Sequence, residues 1–159
     1  MEQGNENSKR EMYENEINQR LKSVRSYLGT FAINELDNLY ISHYPSYIVI
    51  NLDERGNVGT HWIGVAMYLN DVYICDSLGA LVPSSVFPTK LINFLYRVSF
   101  RRDLYITRQL QPKSSIMCGS YCILFVQTMS TNSFTDFICK FSTNLYLNDL
   151  IVSLYTKNI

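Results

Sequence analysis

The longest uncharged stretch of the sequence, residues 114–135, constrains the fold more than any other feature of the chain. Residues 116–129 within it are apolar at too high a density for a surface element, so we expect a buried central helix there. A membrane span would need about 20 consecutive apolar residues. Gly119, Gln127 and Asn132 interrupt the stretch, and the sequence therefore predicts a helix inside a globular protein.

Helical periodicity is visible in three other parts of the chain. Apolar residues recur at spacings of three and four from Tyr13 to Leu28, which predicts an amphipathic helix with Gly29 as its C-cap. A second amphipathic helix is expected over residues 91–98, and two weaker helices over residues 134–159.

Short β-branched runs bounded by turn residues predict the strands of a sheet. We place them at residues 47–50, 61–69, 72–76 and 104–110. Asn70 and Asp71 separate the second strand from the third, which predicts a β-hairpin. This order of elements predicts an α+β fold in one domain, residues 1–159, with residues 1–12 as a flexible leader.

Charge and composition exclude several classes of protein. The 159 residues contain 14 Lys and Arg against 14 Asp and Glu, so no overall positive charge favours a nucleic-acid backbone. Hydrophobic residues make up 47% and charged residues only 18%, which argues against a disordered chain. Four cysteines do not make a disulfide scaffold at this length. The polar, charged beginning of the chain predicts no secretory signal, so we expect a reducing, intracellular setting with free thiols.

Three short islands carry the side chains that could do chemistry, at residues 59–62, 75–79 and 111–119. The last island ends in Cys118 at the start of the predicted buried helix. Because the thiolate is the reactive form of a cysteine, a helix N-terminus, which favours negative charge, suits a nucleophile.

A thiol nucleophile also needs a base, an orienting acid and donors to the acyl oxyanion. His61 supplies an imidazole, and Asp76 lies on the neighbouring strand of the same predicted hairpin, where the two side chains could meet. The backbone N–H of Cys118 and the side-chain amide of Gln111 are available to an oxyanion.

Each of these residues also has a purely structural explanation, because buried cysteines, half-buried histidines and turn aspartates are common. His43 is the other candidate base, although it lies in a Ser-His-Tyr-Pro loop without a strand to fix it. Cys118 and Cys122 have the i,i+4 spacing of metal ligands, but no second cysteine pair completes a site.

The ordered set of motifs resembles the adenovirus-type cysteine proteases (the adenain family), whose wider relatives are the SUMO- and ubiquitin-like-specific proteases. The matching motifs are Gly29-Thr30-Phe31, Tyr44-Pro45, Asn51, Gly59-x-His61-Trp62, Asp76-x-x-Gly79 and Gln111-Pro112-x-Ser114-x-x-x-Cys118-Gly119-x-x-Cys122. They cover about residues 29–129, and the seven-residue step from Gln111 to Cys118 is similar to adenain in particular.

The resemblance implies a papain-like or adenain-like fold, in which a central mixed sheet packs against a buried helix that carries the nucleophile. It implies Cys118 as the nucleophile, His61 as the general base and acid, and Gln111 in the oxyanion hole. Asp76 stands where adenain has Glu and would orient the imidazole. The residues assigned to substrate binding are Trp62, Gly59 and Gly119. No metal is implied, and Cys122 is expected to be a packing thiol.

The implied activity is that of a virus-encoded endopeptidase, acting in the virion and in the cytoplasm or nucleus of the infected cell. Its substrates would be viral structural precursor polypeptides, cleaved after small residues at Gly-Gly-type sites through a thioester. An isopeptidase acting on ubiquitin-like modifiers and a catalytically silent binding module are the alternatives. We expect a monomer that makes no membrane contact.

The sequence itself requires no cofactor, whereas the adenain family has peptide and DNA activators. Two features of this chain depart from those that such activators use. No cysteine lies between Cys75 and Cys118 to hold a peptide through a disulfide, and the net charge is zero. Five basic residues could form a local DNA patch or simply a solvated face. They are Arg97, Arg101, Arg102, Arg108 and Lys113.

Overall fold

A computed structural model of the protein describes residues 14–53, 61–79 and 88–157. Their strands form a five-stranded sheet in the order β1-β2-β3-β4-β5. The strands are β1 (Tyr27–Ala32), β2 (Ser46–Asn51), β3 (Trp62–Met67), β4 (Asp71–Cys75) and β5 (Asp103–Ile106). The β1–β2 and β4–β5 pairs are parallel, whereas β2–β3 and β3–β4 are antiparallel, so the sheet is mixed and the expected β3–β4 hairpin is confirmed.

Helices flank the sheet and confirm the α+β class. They are α1 (residues 14–21), α2 (Thr89–Val98), α3 (Cys118–Thr131), α4 (Phe134–Ile138) and α5 (Leu145–Thr156), with a 3-10 helix at Ile33–Asn38. Side chains alternate between the faces of the sheet. Tyr47 and Val49 of β2 join the hydrophobic cluster that contains α3, whereas Ile48 and Ile50 join the cluster that contains α2.

The helix α3 confirms the expected buried central helix. Ten of its 14 residues are buried, because the sheet covers one side and α4 and α5 contribute Phe137 and Val152 to the same cluster. The helix begins at Cys118, two residues later than Ile116, which is 89% exposed in the preceding loop. The nucleophile candidate is therefore the first residue of α3.

The expected helix over residues 13–28 is wrong in its second half. The described helix ends at residue 21, and Leu28 and Gly29 lie in β1 instead. Ser26 has a φ of 68°, and its carbonyl accepts a hydrogen bond of 3.1 Å from the backbone N–H of Tyr47. Parallel pairing of β1 with β2 therefore outweighs the local helical periodicity. Gly29 does not cap a helix; it has a φ of 128° and follows an irregularity in the β1–β2 pairing.

The strand expected over residues 104–110 ends at Ile106, because Thr107 beyond it donates to the carbonyl of Ile74 at the end of β4. The flexible leader expected over residues 1–12 lies outside the described residues. None of the helices described has the length and apolar character that crossing a bilayer requires.

Close packing between β3 and α3 generates a stability prediction. A Cβ atom added at Gly64 would stand 2.7 Å from Cδ1 of Phe125, whose buried ring is held edge-on against Phe137 with centroids 5.2 Å apart. We expect Gly64→Ala to lower the free energy of unfolding by about 1–3 kcal/mol, because the ring has no free space to enter. Urea unfolding should show a lower midpoint with an unchanged m-value.

The double variant Gly64→Ala/Phe125→Leu is the control. Since the smaller side chain leaves room for the new methyl group, its loss of stability should be smaller than the sum of the two single losses. An unfolding midpoint for Gly64→Ala at or above that of the unaltered protein would contradict this packing.

Candidate active site

The β3–β4 hairpin brings His61 and Asp76 together. Gly64 pairs with Cys75, so extending the register by one residue places Asp76 opposite Ile63, diagonal to His61 on the same face. His61 Nε2 lies 2.6 Å from Asp76 Oδ1, a charge-assisted distance. His61 is 6% exposed and Asp76 is completely buried, so the contact is shielded from water.

Thr107 holds the backbone of Asp76 in place. Its hydroxyl accepts from the Asp76 N–H and donates to the Asp76 carbonyl, both at 2.9 Å. Its own N–H donates to the carbonyl of Ile74 at 3.0 Å, which continues the attachment to β4 after β5 has ended. The carboxylate of Asp76 therefore projects from a rigid position.

The second ring nitrogen of His61, Nδ1, is not used by Asp76. Asp76 takes Nε2, and Nδ1 is buried without a hydrogen-bond partner among the described residues. When the imidazole is neutral, a proton on Nε2 is donated to the carboxylate and Nδ1 carries a free lone pair. That is the state in which His61 can accept a proton.

Opposing influences set the pKa of His61. Burial by itself lowers it, but the hydrogen bond to Asp76 and the nearby Cys118 sulfur outweigh burial and raise the pKa from 6.5 to about 9. At pH 7 the ring is therefore an imidazolium, flanked by one carboxylate and by the one thiol that begins α3.

Cys118 lies at the N-terminus of the long buried helix. The N–H groups of the first turn have no partner inside the helix and point toward its N-terminus, where they favour a negative group. Cys118 is 8% exposed, so little of the residue is accessible to solvent. Gly119 is buried in the same turn.

Gln111 is held in the loop that leads to Cys118. Its Oε1 accepts a hydrogen bond from the Ser77 hydroxyl, and its Nε2 donates to the Ser115 carbonyl at 3.0 Å. The Ser115 hydroxyl in turn accepts from the backbone N–H of Met117 at 3.2 Å. These bonds connect the amide of Gln111 to the backbone that precedes the nucleophile.

The remaining sequence candidates differ in their surroundings. Trp62 is 5% exposed and belongs to the hydrophobic cluster around α3, so a role in substrate contact stays a prediction. Gly59 lies outside the described residues. His43 is exposed, and its Nδ1 lies 3.3 Å from the Ser42 hydroxyl, whereas His61 has the carboxylate partner. Burial raises the pKa of Cys122 well above its ordinary value, as suits a packing thiol.

Three of the basic residues considered for DNA contact bind carbonyl oxygens of the protein itself. Arg97 donates to Leu36, Arg102 to Tyr68, Leu69 and Val98, and Arg108 to Gln109 and Ser142. These guanidinium groups therefore have structural contacts already, independent of any nucleic acid.

Ser77 and Thr107 are not among the residues predicted from the sequence. Ser77 lies inside the 75–79 island, next to Asp76, but nothing local indicates which group its hydroxyl binds. Thr107 has no sequence signal, because its contact with Asp76 depends on the pairing of β4 with β5.

Comparison with protein-family models and with curated proteins gives no match. Among solved structures, the chain is similar to the ASFV pS273R protease, with a TM-score of 0.43 and 18% identity, over 67% of this chain and 43% of that one. It is also similar to AvrA delL154 with IP6 and CoA, with a TM-score of 0.46 and 13% identity, over 89% of this chain and 55% of that one. The chain thus spans about half the length of the structures it matches.

The buried ion pair predicts an unusual titration. We expect the His61 ring to titrate near pH 9, and Asp76→Asn to bring that pKa down by more than 1, because burial of the ring is then left without its main compensation. The measurement is the pH dependence of the imidazole Cε1–H signal by NMR, with His43→Gln identifying the signal of the second histidine. A His61 midpoint at or below 6.5 in the unaltered protein would contradict the geometry.

The same pair makes stability depend on pH. Because the folded pKa of His61 lies above its unfolded value, the pair stabilises the fold fully below pH 6.5 and loses this contribution as the pH rises through about 9. The difference in unfolding free energy between the unaltered protein and Asp76→Asn should therefore shrink from pH 6 to pH 10, by about 3 kcal/mol.

Proposed function

We propose that the protein is a cysteine endopeptidase in which Cys118, His61 and Asp76 form the catalytic triad. The observation that carries this proposal is the 2.6 Å contact of His61 Nε2 with a fully buried Asp76. This contact leaves Nδ1 buried and unpartnered among the described residues, close to a thiol at the start of α3. The imidazole thus lies between a thiol that can act as nucleophile and a carboxylate that orients the ring, which is the arrangement that acyl transfer needs.

In the acylation step, the Cys118 thiolate attacks the carbonyl carbon of the scissile amide and forms a C–S bond. The oxyanion that develops accepts hydrogen bonds from the backbone N–H of Cys118 and from Nε2 of Gln111. Nδ1 of the imidazolium gives its proton to the leaving amine as the C–N bond breaks. A thioester and a neutral His61 remain.

In the deacylation step, Nδ1 accepts a proton from a water molecule, whose oxygen attacks the thioester carbonyl. The C–S bond breaks, the carboxylic acid leaves, and the thiolate and imidazolium are restored. Throughout both steps, the side chain of Asp76 holds the ring by Nε2.

The burial of the site favours substrates with little bulk next to the scissile bond. Cys118 is 8% exposed and His61 is 6% exposed, and a glycine, which has no side chain, can approach such buried groups more closely than a branched residue. We assign the protein to Gly-Gly-type sites in viral structural precursors, within the virion and the infected cell, because its motifs resemble those of adenain. The same preference fits the Gly-Gly end of a ubiquitin-like modifier, and an isopeptidase is therefore the second candidate.

Removal of the nucleophile tests the proposal. We expect Cys118→Ala to lower kcat by at least about 1,000-fold on a fluorogenic peptide that ends in Gly-Gly before the reporter amide, because no thioester can form. Cys122→Ala is the matched control, since it removes a buried thiol one helical turn away, and should keep kcat within a few-fold. Equal activity of Cys118→Ala and the unaltered protein would refute the assignment.

Two further substrates separate the candidates. An endopeptidase cleaves an unfolded precursor segment that contains an internal Gly-Gly site, whereas an isopeptidase reacts with a ubiquitin-like vinyl sulfone through Cys118. Reaction with the vinyl sulfone, without cleavage of the precursor, would replace the first candidate by the second.

Alkylation at pH 6 separates both enzymes from a silent binding module. We expect iodoacetamide to modify Cys118 faster than Cys139, although Cys139 is exposed, because only Cys118 has an imidazolium partner. Peptide mass spectrometry over a time course measures both rates in one sample. A faster reaction of Cys139 would favour the binding module.

A further inference from the structure

Ser77 binds Gln111 through both its side chain and its backbone. The Ser77 hydroxyl donates to Oε1 of Gln111, and the Ser77 carbonyl accepts from the N–H of Gln111 at 2.9 Å and of Leu110 at 2.8 Å. Ser77 is completely buried and Gln111 is 1% exposed, so water does not compete for these bonds. The contact joins the end of β4 to the loop that precedes the nucleophile.

These bonds select one orientation of the Gln111 amide. With Oε1 on the Ser77 hydroxyl, Nε2 donates one N–H to the Ser115 carbonyl at 3.0 Å, and its second N–H is not used by either bond. In the reversed orientation Oε1 would face the Ser115 carbonyl, and two acceptors would lie in contact. The observed orientation therefore keeps one N–H donor of Gln111 available.

We propose that Ser77 is a positioning residue, which fixes the Gln111 amide so that its remaining N–H points to the oxyanion of the substrate. This inference rests on the proposed protease function. On this inference, two adjacent residues orient the side chains of the site. The Asp76 carboxylate orients His61, and the Ser77 hydroxyl orients Gln111. Thr107 fixes the backbone of Asp76, and hydrogen bonds from the N–H groups of Leu110 and Gln111 fix the backbone of Ser77.

The test is Ser77→Ala. Without the hydroxyl, Oε1 of Gln111 is buried and unsatisfied, and the amide moves from its productive position. We expect kcat on the Gly-Gly reporter peptide to fall by about 10-fold, with KM changed less than 2-fold, because the lost interaction forms only in the transition state. Ser46→Ala is the matched control, since Ser46 is also fully buried and its hydroxyl donates to the His43 carbonyl instead. It should keep kcat unchanged.

A double variant shows whether Ser77 acts through Gln111. In a Gln111→Ala background, Ser77→Ala should have no further effect on kcat, because the group that it positions is gone. A full additional 10-fold loss in that background would overturn the inference, and so would an equal loss of kcat in Ser46→Ala.

NMR provides a measurement that does not depend on activity. The side-chain NH₂ signals of Gln111, identified by their disappearance in Gln111→Ala, should move in Ser77→Ala and exchange faster with solvent, but not in Ser46→Ala. Unchanged signals in Ser77→Ala would overturn the positioning role. If these signals behave as expected but no peptide or modifier is cleaved, the proposed function fails while the Ser77–Gln111 contact stands.

Ser77→Cys keeps the inference testable if Ser77→Ala does not fold. The thiol is close to the hydroxyl in volume and is a weaker donor, so kcat should fall between those of the unaltered protein and Gln111→Ala. A folded Ser77→Cys variant with unaltered kcat and unaltered Gln111 signals would contradict the role of the hydroxyl.

Discussion

The contact between His61 and Asp76 is the interaction on which the candidate site depends. A completely buried carboxylate is costly unless a charged or hydrogen-bonding partner compensates its lost hydration. Here the partner is an imidazole, and the same bond that satisfies the carboxylate fixes which ring nitrogen faces the thiol. Fold stability and the orientation of the imidazole therefore depend on one interaction, and neither can be altered without the other.

The mixed topology of the sheet explains how this contact is built. The antiparallel β3–β4 hairpin gives the diagonal pairing of His61 and Asp76, and the parallel β4–β5 pair brings in Thr107 and then the loop of Gln111. Buried α3 packs on the face of the sheet that carries Tyr47 and Val49, and it has Cys118 in its first turn. Residues that are far apart in the sequence thus converge because the two pairings meet at β4.

Much of this architecture could be predicted from local pattern. The β-branched run of β2, the β3–β4 hairpin and the uncharged density of α3 each have a signal that does not need the rest of the chain. The strand β1 could not be predicted in this way, because Val24 and Leu28 fit a helical spacing and only pairing with β2 shows otherwise. The hydroxyls of Ser77 and Thr107 bind groups 34 and 31 positions away, so their roles depend on tertiary structure.

The packing of Gly64 against Phe125 has a consequence for the geometry of the site as well as for the core. Gly64 follows His61 by three residues in β3, and Phe125 follows Cys118 by two helical turns in α3. The missing side chain at Gly64 sets how closely the strand and the helix approach. A residue without a side chain thereby governs the packing between the strand that follows His61 and the helix that begins at Cys118.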